Sequence, residues 1–326
     1  MRAIQVATFG GPEVLLPAEL PDPVPGPGQV VVGMAVADVI LLDALLRSGW
    51  GQDFFPRTLP YVPGGGGAGT VAGTGEGVNP AWIGRQVVVR TSTGYAEQVV
   101  ADVEEIIPVP DGLAIDAAAA LVHDGVTALS LDRLGTPEKG KWVLVSAAAG
   151  GAGSLLVQFA VDAGARVVAA ASSDVKLALA RQMGAEVAID YTQPDWIARV
   201  RDATGGGAAL VYDGAGGPLG TAALDAVADG GRFVTYGTAG GFAAPDPESA
   251  ARRAVRVLAP LLDGPPNRQT VRELLSLALQ RAVDGRLRPA IGATYALERA
   301  ADAHRALAAR ATVGKSLLLV GHRMTS

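Results

Sequence analysis

The chain has 326 residues, of which 49% are hydrophobic and 18% are charged, so it is long enough to bury the cores of two domains. A net charge of −5 and an isoelectric point near 5.3 exclude the clustered basic surface that binding to nucleic acid requires. The absence of cysteine excludes disulfides, thiolate nucleophiles and cysteine-based zinc sites, and three histidines make a histidine-rich centre improbable, so we expect no metal. The opening residues lack a long apolar segment, which predicts no secretory signal and a cytoplasmic protein.

The first part of the chain is predicted to be rich in β-structure. Prolines at every second position from Pro21 to Pro27 favour an extended connector. A short helix is predicted over 39–48, and the four glycines at 64–67 predict irregular backbone. Runs rich in β-branched residues, broken by Gly and Pro, predict strands at 4–9, 29–37, 69–73 and 85–90.

From residue 115 onward the pattern changes to alternating helices and strands. Helices are predicted at 116–134, 154–163, 174–183, 195–203, 218–228, 270–283 and 297–309. Strands are predicted at 142–146, 166–171, 187–190, 208–212, 231–237, 254–258, 287–291 and 315–320. This alternation predicts a parallel sheet that is covered by helices on both faces.

Residues 142–161 carry no charge and are 20 in number, about the length that crosses a bilayer. Three glycines within four positions, Gly150, Gly151 and Gly153, favour a strand, a turn and a helix instead. Small residues in such a turn let the backbone approach a pyrophosphate, and the helix that follows directs free N–H groups towards it. We therefore predict that Gly150, Gly151, Ala152 and Gly153 bind a dinucleotide; a tight turn without a ligand is the alternative.

The end of the second predicted strand of this unit indicates which dinucleotide binds. Strand 166–171 ends without an acidic residue that could accept from a ribose 2′-OH. Ser172, Ser173 and Lys176 follow it, and hydroxyls with an ammonium suit a 2′-phosphate, so we predict NADPH. Asp174 could serve as a ribose acceptor for NADH, but it lies past the strand and is better placed to begin the next helix.

Many short motifs occur in an order that resembles one known family. They include FGGPEVL, PDPVPGPGQVVV, YVPGGGGAG, GVTAL, AAAGGAGS, YDGAGG and GGRFVTYG. The chain resembles the medium-chain dehydrogenase/reductase superfamily and, within it, the zinc-free quinone oxidoreductase (zeta-crystallin-like) group. This resemblance implies an α/β fold with a doubly wound parallel Rossmann domain, residues 123–265, inserted into a partly open, GroES-like β-barrel. The barrel, residues 1–122 and 266–326, would be the catalytic domain that holds the substrate.

The resemblance also implies further cofactor contacts and a homodimer. The additional cofactor-binding positions are Thr127, Lys176, Tyr191, Gly214, Gly237, Thr238 and Arg310. The homodimer would form through the edge strand at 254–258.

One departure from the family pattern concerns the substrate. Ile40 and Leu45 stand where the family often has polar Asn and Tyr. Together with the aromatic residues that follow, they predict a pocket for a bulky, planar, weakly polar substrate. These aromatic residues are Trp50, Phe54, Phe55 and Tyr61. The alternative is that the aromatics are ordinary packing.

No residue is identified as catalytic from the sequence. His123 precedes the GVTAL motif and is a candidate donor to a substrate carbonyl, although a packed or solvated histidine is the alternative. His304 falls in the pattern of a surface helix and His322 in the tail, so neither is assigned a role.

These features together predict an NADPH-dependent reductase of a quinone or an α,β-unsaturated carbonyl, working without a metal chiefly by positioning its reactants. Two alternatives stay open. The same fold could perform non-redox chemistry such as a cyclisation, or the protein could be a sensor or scaffold that binds NADPH without turnover.

Overall fold

The computed structural model describes residues 1–264 and 266–321 and divides the chain into two compact units. The first unit comprises Met1–Val126 and Arg268–Ser326, and the second comprises Thr127–Asn267. The second unit is therefore an insertion in the first. The sequence analysis predicted domain boundaries after residues 122 and 265, whereas the two units divide after Val126 and Asn267.

The helices and strands are numbered in chain order. The strands are β1 Arg2–Val6, β2 Leu15–Glu19, β3 Gln29–Val39, β4 Gly66–Thr74, β5 Gln86–Arg90, β6 Gln98–Asp102, β7 Ile106–Pro108, β8 Trp142–Ser146, β9 Arg166–Ala171, β10 Val187–Asp190, β11 Ala208–Asp213, β12 Val227–Thr235, β13 Arg256–Leu258, β14 Ile291–Ala296 and β15 Lys315–Leu319. The α-helices are α1 Leu41–Arg47, α2 Ile115–Leu121, α3 Asp124–Gly135, α4 Gly151–Asp162, α5 Asp174–Gln182, α6 Trp196–Thr204, α7 Gly217–Ala223, α8 Pro247–Arg252, α9 Arg268–Val283 and α10 Ala300–Ala308.

The first unit is built on a largely antiparallel sheet in the order β14-β15-β3-β4-β5-β7, with β6 also paired to β3. Its long central strand β3 is mostly buried, because alternate valines on both faces meet apolar neighbours. Strand β15, from the end of the chain, pairs antiparallel with β3 and places Ser316 opposite Val39. The C-terminal segment thus completes the sheet that the N-terminal segment begins.

Glycines 66 and 67 lie in strand β4, so the prediction of irregular backbone over 64–67 is wrong for these two residues. The reason is a close approach between strands. A Cβ on Gly67 would overlap the backbone carbonyl oxygen of Val36 on β3, which only glycine avoids. These glycines lie within the strand because β3 and β4 approach too closely for a side chain, whereas composition alone predicts a loop.

The second unit is a six-stranded parallel sheet in the order β10-β9-β8-β11-β12-β13. This is the doubly wound order of a dinucleotide-binding domain, and it confirms the predicted fold class. Its core is formed by apolar residues such as Leu144, Val168, Val211 and Phe233. The strand order reverses between β8 and β11, and ligands bind at that point, outside the carboxyl ends of the strands.

Several element predictions need correction. The helix predicted over 116–134 is two helices, α2 and α3, with Val122 and His123 between them. The strand predicted at 287–291 is absent; β14 begins at Ile291, since Pro289 has no N–H to give to a ladder. The helix predicted at 218–228 ends as α7 at Ala223, and a short 3₁₀ turn leads into β12. Elements β2, β6, β7 and α8 were not predicted.

Candidate functional site

The glycine-rich loop follows β8, at the point where the strand order reverses. Gly150 is the N-cap of α4, and the helix begins at Gly151, three residues before its predicted start. A Cβ on Gly153 would overlap the carbonyl oxygen of Ala147, so the loop can close onto the helix only with glycine there. Ala147 itself has a φ of 51°, a left-handed conformation that sharpens the turn. The first N–H groups of α4 therefore stand free at the carboxyl edge of the sheet.

The residues predicted to bind the 2′-phosphate follow the neighbouring strand β9. Strands β8 and β9 are in register, with Ser146 opposite Ala170, so both loops leave the same edge of the sheet. Lys176 Nζ donates to Ser172 Oγ at 3.1 Å, which holds the ammonium over the end of β9. Asp174 is exposed and is the first residue of α5, as the sequence analysis favoured. Ser172, Ser173 and Lys176 form one hydroxyl and ammonium cluster.

Tyr191 follows β10 and belongs to the same edge. Its backbone N–H donates to the carbonyl oxygen of Ala171 at 3.1 Å, which ties it to the end of β9. Its ring packs edge-on against Trp196, with 6.4 Å between the centroids. Tyr191 is therefore held beside the Ser172–Lys176 segment by packing from α6.

Gly214 and Gly237 follow β11 and β12, and their backbones touch. A Cβ on Gly237 would overlap the backbone of Gly214, so the two loops pack together without side chains between them. Thr238 continues the second loop and is half-buried, and its carbonyl oxygen accepts from Gly241 N at 3.0 Å. The structure thus brings the predicted residues after β8, β9, β10, β11 and β12 to one edge of one sheet.

Two further residues organise this edge and were missed by the sequence analysis. Asp213 is fully buried, and its Oδ1 accepts from the Ser146 hydroxyl and from the N–H groups of Ala215 and Gly216. The Ser146 hydroxyl oxygen in turn accepts from Gly214 N at 3.0 Å. In the sequence, each of these two residues is the single polar residue at the end of a buried strand, and this pattern could have identified them. The pair fixes the loop after β11 against β8.

Thr127 and Arg310 lie elsewhere. Thr127 is half-buried on α3, and Arg310 is exposed after α10 in the first unit. Neither belongs to the loops that follow strands β8 to β12. Their predicted cofactor contacts stay predictions.

The first unit contains a pocket of about 210 Å³ that includes three of the predicted substrate residues, Ile40, Tyr61 and His123. The other four, Leu45, Trp50, Phe54 and Phe55, do not line it. Leu45 is half-buried, whereas Trp50 is 41% and Phe54 is 80% exposed. Phe55 is also exposed. The pocket has a charged part that the sequence analysis did not identify, formed by Asp43, Arg57 and Arg90.

His123 enters this pocket from a buried chain of charges. Its Nδ1 lies 2.8 Å from Asp38 Oδ2, and the imidazole edge abuts Gly65, where a Cβ would lie 3.0 Å from Nε2. Lys315 Nζ lies 3.2 Å from the same Asp38 oxygen and 3.1 Å from Asp124 Oδ2. Asp38 and Lys315 are buried, so Lys315 links the carboxylates of Asp124 and Asp38 out of contact with water, and Asp38 in turn contacts His123.

Asp38 and Lys315 stabilise each other's charged forms. Burial alone would raise the pKa of Asp38, but the nearby His123 and Lys315 outweigh it and lower that pKa to about 2. Burial would lower the pKa of Lys315, and the carboxylates of Asp124 and Asp38 raise it instead. Asp38 is therefore an anion that fixes Nδ1 of His123 as a donor and leaves Nε2 for the pocket.

A second buried network lies beside the pocket. Asp43 Oδ2 accepts from Ile40 N and from Tyr95 Oη, both at 3.2 Å, and Tyr95 Oη lies 3.0 Å from His304 Nε2. His304 is fully buried, so its assignment to a surface helix is wrong: α10 turns that face towards the core. His322 lies outside the described residues.

Burial dominates the protonation of this second network. It raises the pKa of Asp43 to about 7, with the charge of Asp38 adding to the effect. It also lowers the pKa of His304 to about 3, and the Arg47 guanidinium lowers it further. At neutral pH His304 is uncharged and Asp43 is close to half-protonated.

Comparison with known proteins gives two family matches, one in each part of the chain. Residues 26–111 match the model of the alcohol dehydrogenase GroES-like domain, and residues 151–280 match the zinc-binding dehydrogenase domain. A quinone oxidoreductase of Pseudomonas aeruginosa is 33% identical, over 98% of this chain and 99% of that relative. A 2-haloacrylate reductase of a Burkholderia species is 31% identical, over 95% of this chain and 96% of that relative.

Solved structures agree with the fold. A mycobacterial protein complexed with NADPH has a TM-score of 0.89 and 34% sequence identity, covering 98% of this chain and 100% of that one. The Escherichia coli quinone oxidoreductase complexed with NADPH has a TM-score of 0.89 at 26% identity, again covering 98% of this chain and all of that one.

The inserted dinucleotide-binding unit and the GroES-like unit around it define a medium-chain dehydrogenase/reductase. Within that superfamily, the chain belongs to the quinone oxidoreductases. The predicted family and the oxidoreductase class are confirmed at this level. The two solved relatives named above are complexed with the cofactor that the sequence predicts here. Among the described residues, no helix is both long and apolar enough to cross a membrane.

Proposed function

We propose that the protein is an NADPH-dependent reductase of a quinone or an α,β-unsaturated carbonyl. One observation carries this: the glycine loop at the start of α4 and the Ser172–Lys176 cluster leave the same edge of a doubly wound sheet. The first provides N–H groups for a pyrophosphate, and the second provides hydroxyls and an ammonium for a 2′-phosphate. The relatives complexed with NADPH support the choice of cofactor.

The chain's own residues supply binding, orientation and a proton. Bound NADPH would supply a hydride from C4 of its nicotinamide. Conjugated acceptors need no metal to polarise them when a hydrogen-bond donor meets the oxygen that becomes negative. His123 would fit this role in its doubly protonated form, in which Nδ1–H donates to Asp38 and Nε2–H is the donor on the pocket side.

We propose that His123 gives a proton to the oxygen or carbon that becomes basic after hydride transfer. A histidine held by a carboxylate is oriented for such a transfer, and the Asp38–Lys315 contact fixes the carboxylate in turn. Asp38 and Lys315 are positioning residues in this account, because both are buried.

The predicted bulky apolar substrate receives little support from this pocket. A volume of about 210 Å³ is below the roughly 300–1,000 Å³ of drug-sized ligand sites. Charged and polar side chains contribute to the lining, among them Arg57, Arg90 and His123. A small conjugated acceptor fits better, and the 2-haloacrylate reductase among the relatives, by its name, reduces such a molecule.

NADPH and NADH binding to the purified protein, followed by Trp fluorescence, tests the nucleotide assignment. Trp196 touches Tyr191 and is a local reporter. We expect tighter binding of NADPH, and Lys176→Ala should remove most of that preference while leaving NADH binding unchanged. Lys141→Ala, at an exposed lysine of the same unit, is the matched control. Failure of both nucleotides to bind would refute the proposed function.

We also propose that the protein acts in the cytoplasm as a homodimer formed through β13. This strand lies at the edge of the parallel sheet, and Val257, Leu261 and Leu262 are exposed on and beside it. An exposed edge with apolar side chains favours pairing with a second copy.

A further inference from the structure

We infer that the pocket of the first unit binds a carboxylate group of the substrate at the guanidinium of Arg90. This inference rests on the proposed function and narrows its substrate class to small conjugated ketones that also carry a carboxylate.

Among the described residues, Arg90 has no acidic side chain within ion-pair distance, although the carboxylates of Asp38 and Glu105 act on it from further away. It is the last residue of β5, it is half-buried, and its side chain lines the pocket. Within residues 1–264 and 266–321, its guanidinium makes no hydrogen bond or ion pair. A guanidinium carries five N–H donors, and the partial burial of Arg90 weakens their hydration and lowers its pKa. A ligand that accepts those bonds would offset that loss.

The surroundings of Arg90 favour an anion. Arg57 and His123 line the same pocket, and the hydroxyls of Thr91 and Ser92 follow Arg90 directly in the chain and line it too. The acidic side chain in the lining, Asp43, has its pKa raised to about 7 by burial, which reduces its negative charge at neutral pH. Behind His123, Lys315 lies between the carboxylates of Asp38 and Asp124 and is shared by both. Among the residues that line the pocket, two arginines face one carboxylate, so the lining is net positive.

The chemistry of the donors favours a carboxylate. Arginine binds planar carboxylates through two parallel N–H bonds, and the pocket offers about 210 Å³. A doubly charged group would suffer more from the half-ionised Asp43 than a carboxylate would. A short molecule could place a carboxylate at Arg90 and a conjugated ketone at His123.

The reaction of such a substrate balances without another reactant. In trans-acetylacrylate, the hydride adds to the alkene carbon β to the ketone, and the alkene π bond breaks. Its electron pair forms an enolate on the ketone, and a proton from Nε2 of the doubly protonated His123 then completes the new C–H bond at the neighbouring carbon, which leaves the imidazole neutral. The products are levulinate and NADP⁺, and water returns the proton to His123.

The test compares trans-acetylacrylate with its uncharged methyl ester. The ester is the more electrophilic alkene, so intrinsic reactivity favours it. We expect the wild-type protein to prefer the acid in kcat/KM by about ten- to hundredfold, the range of one or two charge-assisted hydrogen bonds. Arg90→Met should abolish that preference by lowering kcat/KM for the acid while leaving kcat/KM for the ester unchanged. Arg90→Lys should retain part of the preference, and NADPH binding should not change in either variant.

Arg85→Met is the matched control. Arg85 precedes the same strand, is exposed and stacks on Trp82 at 5.5 Å, so its loss should leave the preference intact. The Arg90 guanidinium makes no hydrogen bond or ion pair with another residue in the described part of the chain. Arg90→Met should therefore fold with an unchanged circular dichroism spectrum.

Three results would overturn the inference and leave the proposed function standing. One is a wild-type preference for the ester that Arg90→Met leaves unchanged. Another is weaker NADPH binding in Arg90→Met, which would assign the guanidinium to the cofactor. The third is reduction of benzoquinone without reduction of the acid, which would refute the carboxylate while the proposed function stands. No NADPH oxidation with any acceptor would refute both.

Discussion

At the scale of single residues, the most informative group is the buried pair of Asp38 and His123. Two carboxylates and one ammonium stand behind the imidazole, and the contacts of 2.8, 3.2 and 3.1 Å leave it one orientation. Because Asp38 and Lys315 are buried, the sequence offered no sign that residues so far apart in the chain form one group.

The role of His123 as proton donor predicts a loss of turnover without a loss of binding. His123→Gln should lower kcat by about a hundredfold or more, the lower range of general acid catalysis. NADPH affinity should stay at the wild-type value, because the nucleotide loops belong to the other unit. Asp38→Asn should lower kcat less. Stopped-flow NADPH oxidation measures this, and a fully active His123→Gln would contradict the assignment.

The second buried network predicts two opposite dependences of stability on pH. The pKa of Asp43 is raised from 3.8 to about 7 in the folded protein, so its contribution to stability is lost as pH rises through that interval. The pKa of His304 is lowered from 6.5 to about 3, so its contribution is lost as pH falls through that interval. Each is of the order of 1.4 kcal/mol per pH unit, and in the overlap the two offset each other.

Single variants separate these contributions. Relative to the wild type, Asp43→Asn should gain stability as pH rises from 4 to 6.5, and His304→Asn should lose it over the same interval. Urea unfolding at several pH values gives the slopes. Parallel profiles for both variants and the wild type would show that neither group is perturbed in the folded state.

At the scale of elements, the turn before α4 is the feature on which cofactor binding depends. A methyl group on Gly153 would meet the backbone oxygen of Ala147, so Gly153→Ala must displace the loop. We expect NADPH affinity to fall more than tenfold. Gly73→Ala is the control, since a Cβ there meets nothing within 4 Å. Equal NADPH affinity in the two variants would mean that the loop does not bind the pyrophosphate.

The elements also show where sequence patterns suffice. Strands β9 and β10 were predicted at their exact bounds, because buried parallel strands are continuous apolar runs between clear breaks. The break at Val122 and His123 was not predicted, since the Ala- and Leu-rich composition favours helix throughout. Gly66 and Gly67 were missed for the opposite reason, because close strand packing, not local propensity, decides their conformation.

The site was predictable to the extent that it depends on the backbone. The glycine loop, the Ser172–Lys176 cluster and Gly214 follow β8, β9 and β11. These strands are neighbours in the sheet, so the strand order alone brings the three segments together. The charged pocket could not be found this way. It brings Arg90 at the end of β5 together with His123 in the break before α3, and Lys315 reaches His123 only through Asp38. No local sequence pattern indicates that residues so far apart meet.

At the scale of the whole molecule, the insertion of one unit into the other explains why the last strand matters. Strand β15 pairs with β3, and its first residue, Lys315, supports Asp38 and through it His123. The C-terminal segment thus contributes both to the sheet and to the pocket.

The exposed edge at β13 predicts the oligomeric state. Light scattering of the wild type should give about twice the chain mass of 33.0 kDa. Val257→Lys should shift the protein to the monomer, because an ammonium on the edge opposes pairing. Leu16→Lys, at an exposed position of the first unit, should stay dimeric. A monomeric wild type would refute the proposed assembly.

The transfer of deuterium from NADPH to the product tests the central claim most directly. NADPH labelled at C4 of the nicotinamide, on each face in turn, would be incubated with a conjugated ketone, and the product analysed by mass spectrometry. The account predicts that one of the two labels appears on the carbon β to the carbonyl, with one NADP⁺ formed per product. Product formed without NADPH consumption would show non-redox chemistry, and tight NADPH binding without any product across the acceptors would show a sensor or scaffold; either result would contradict a reductase.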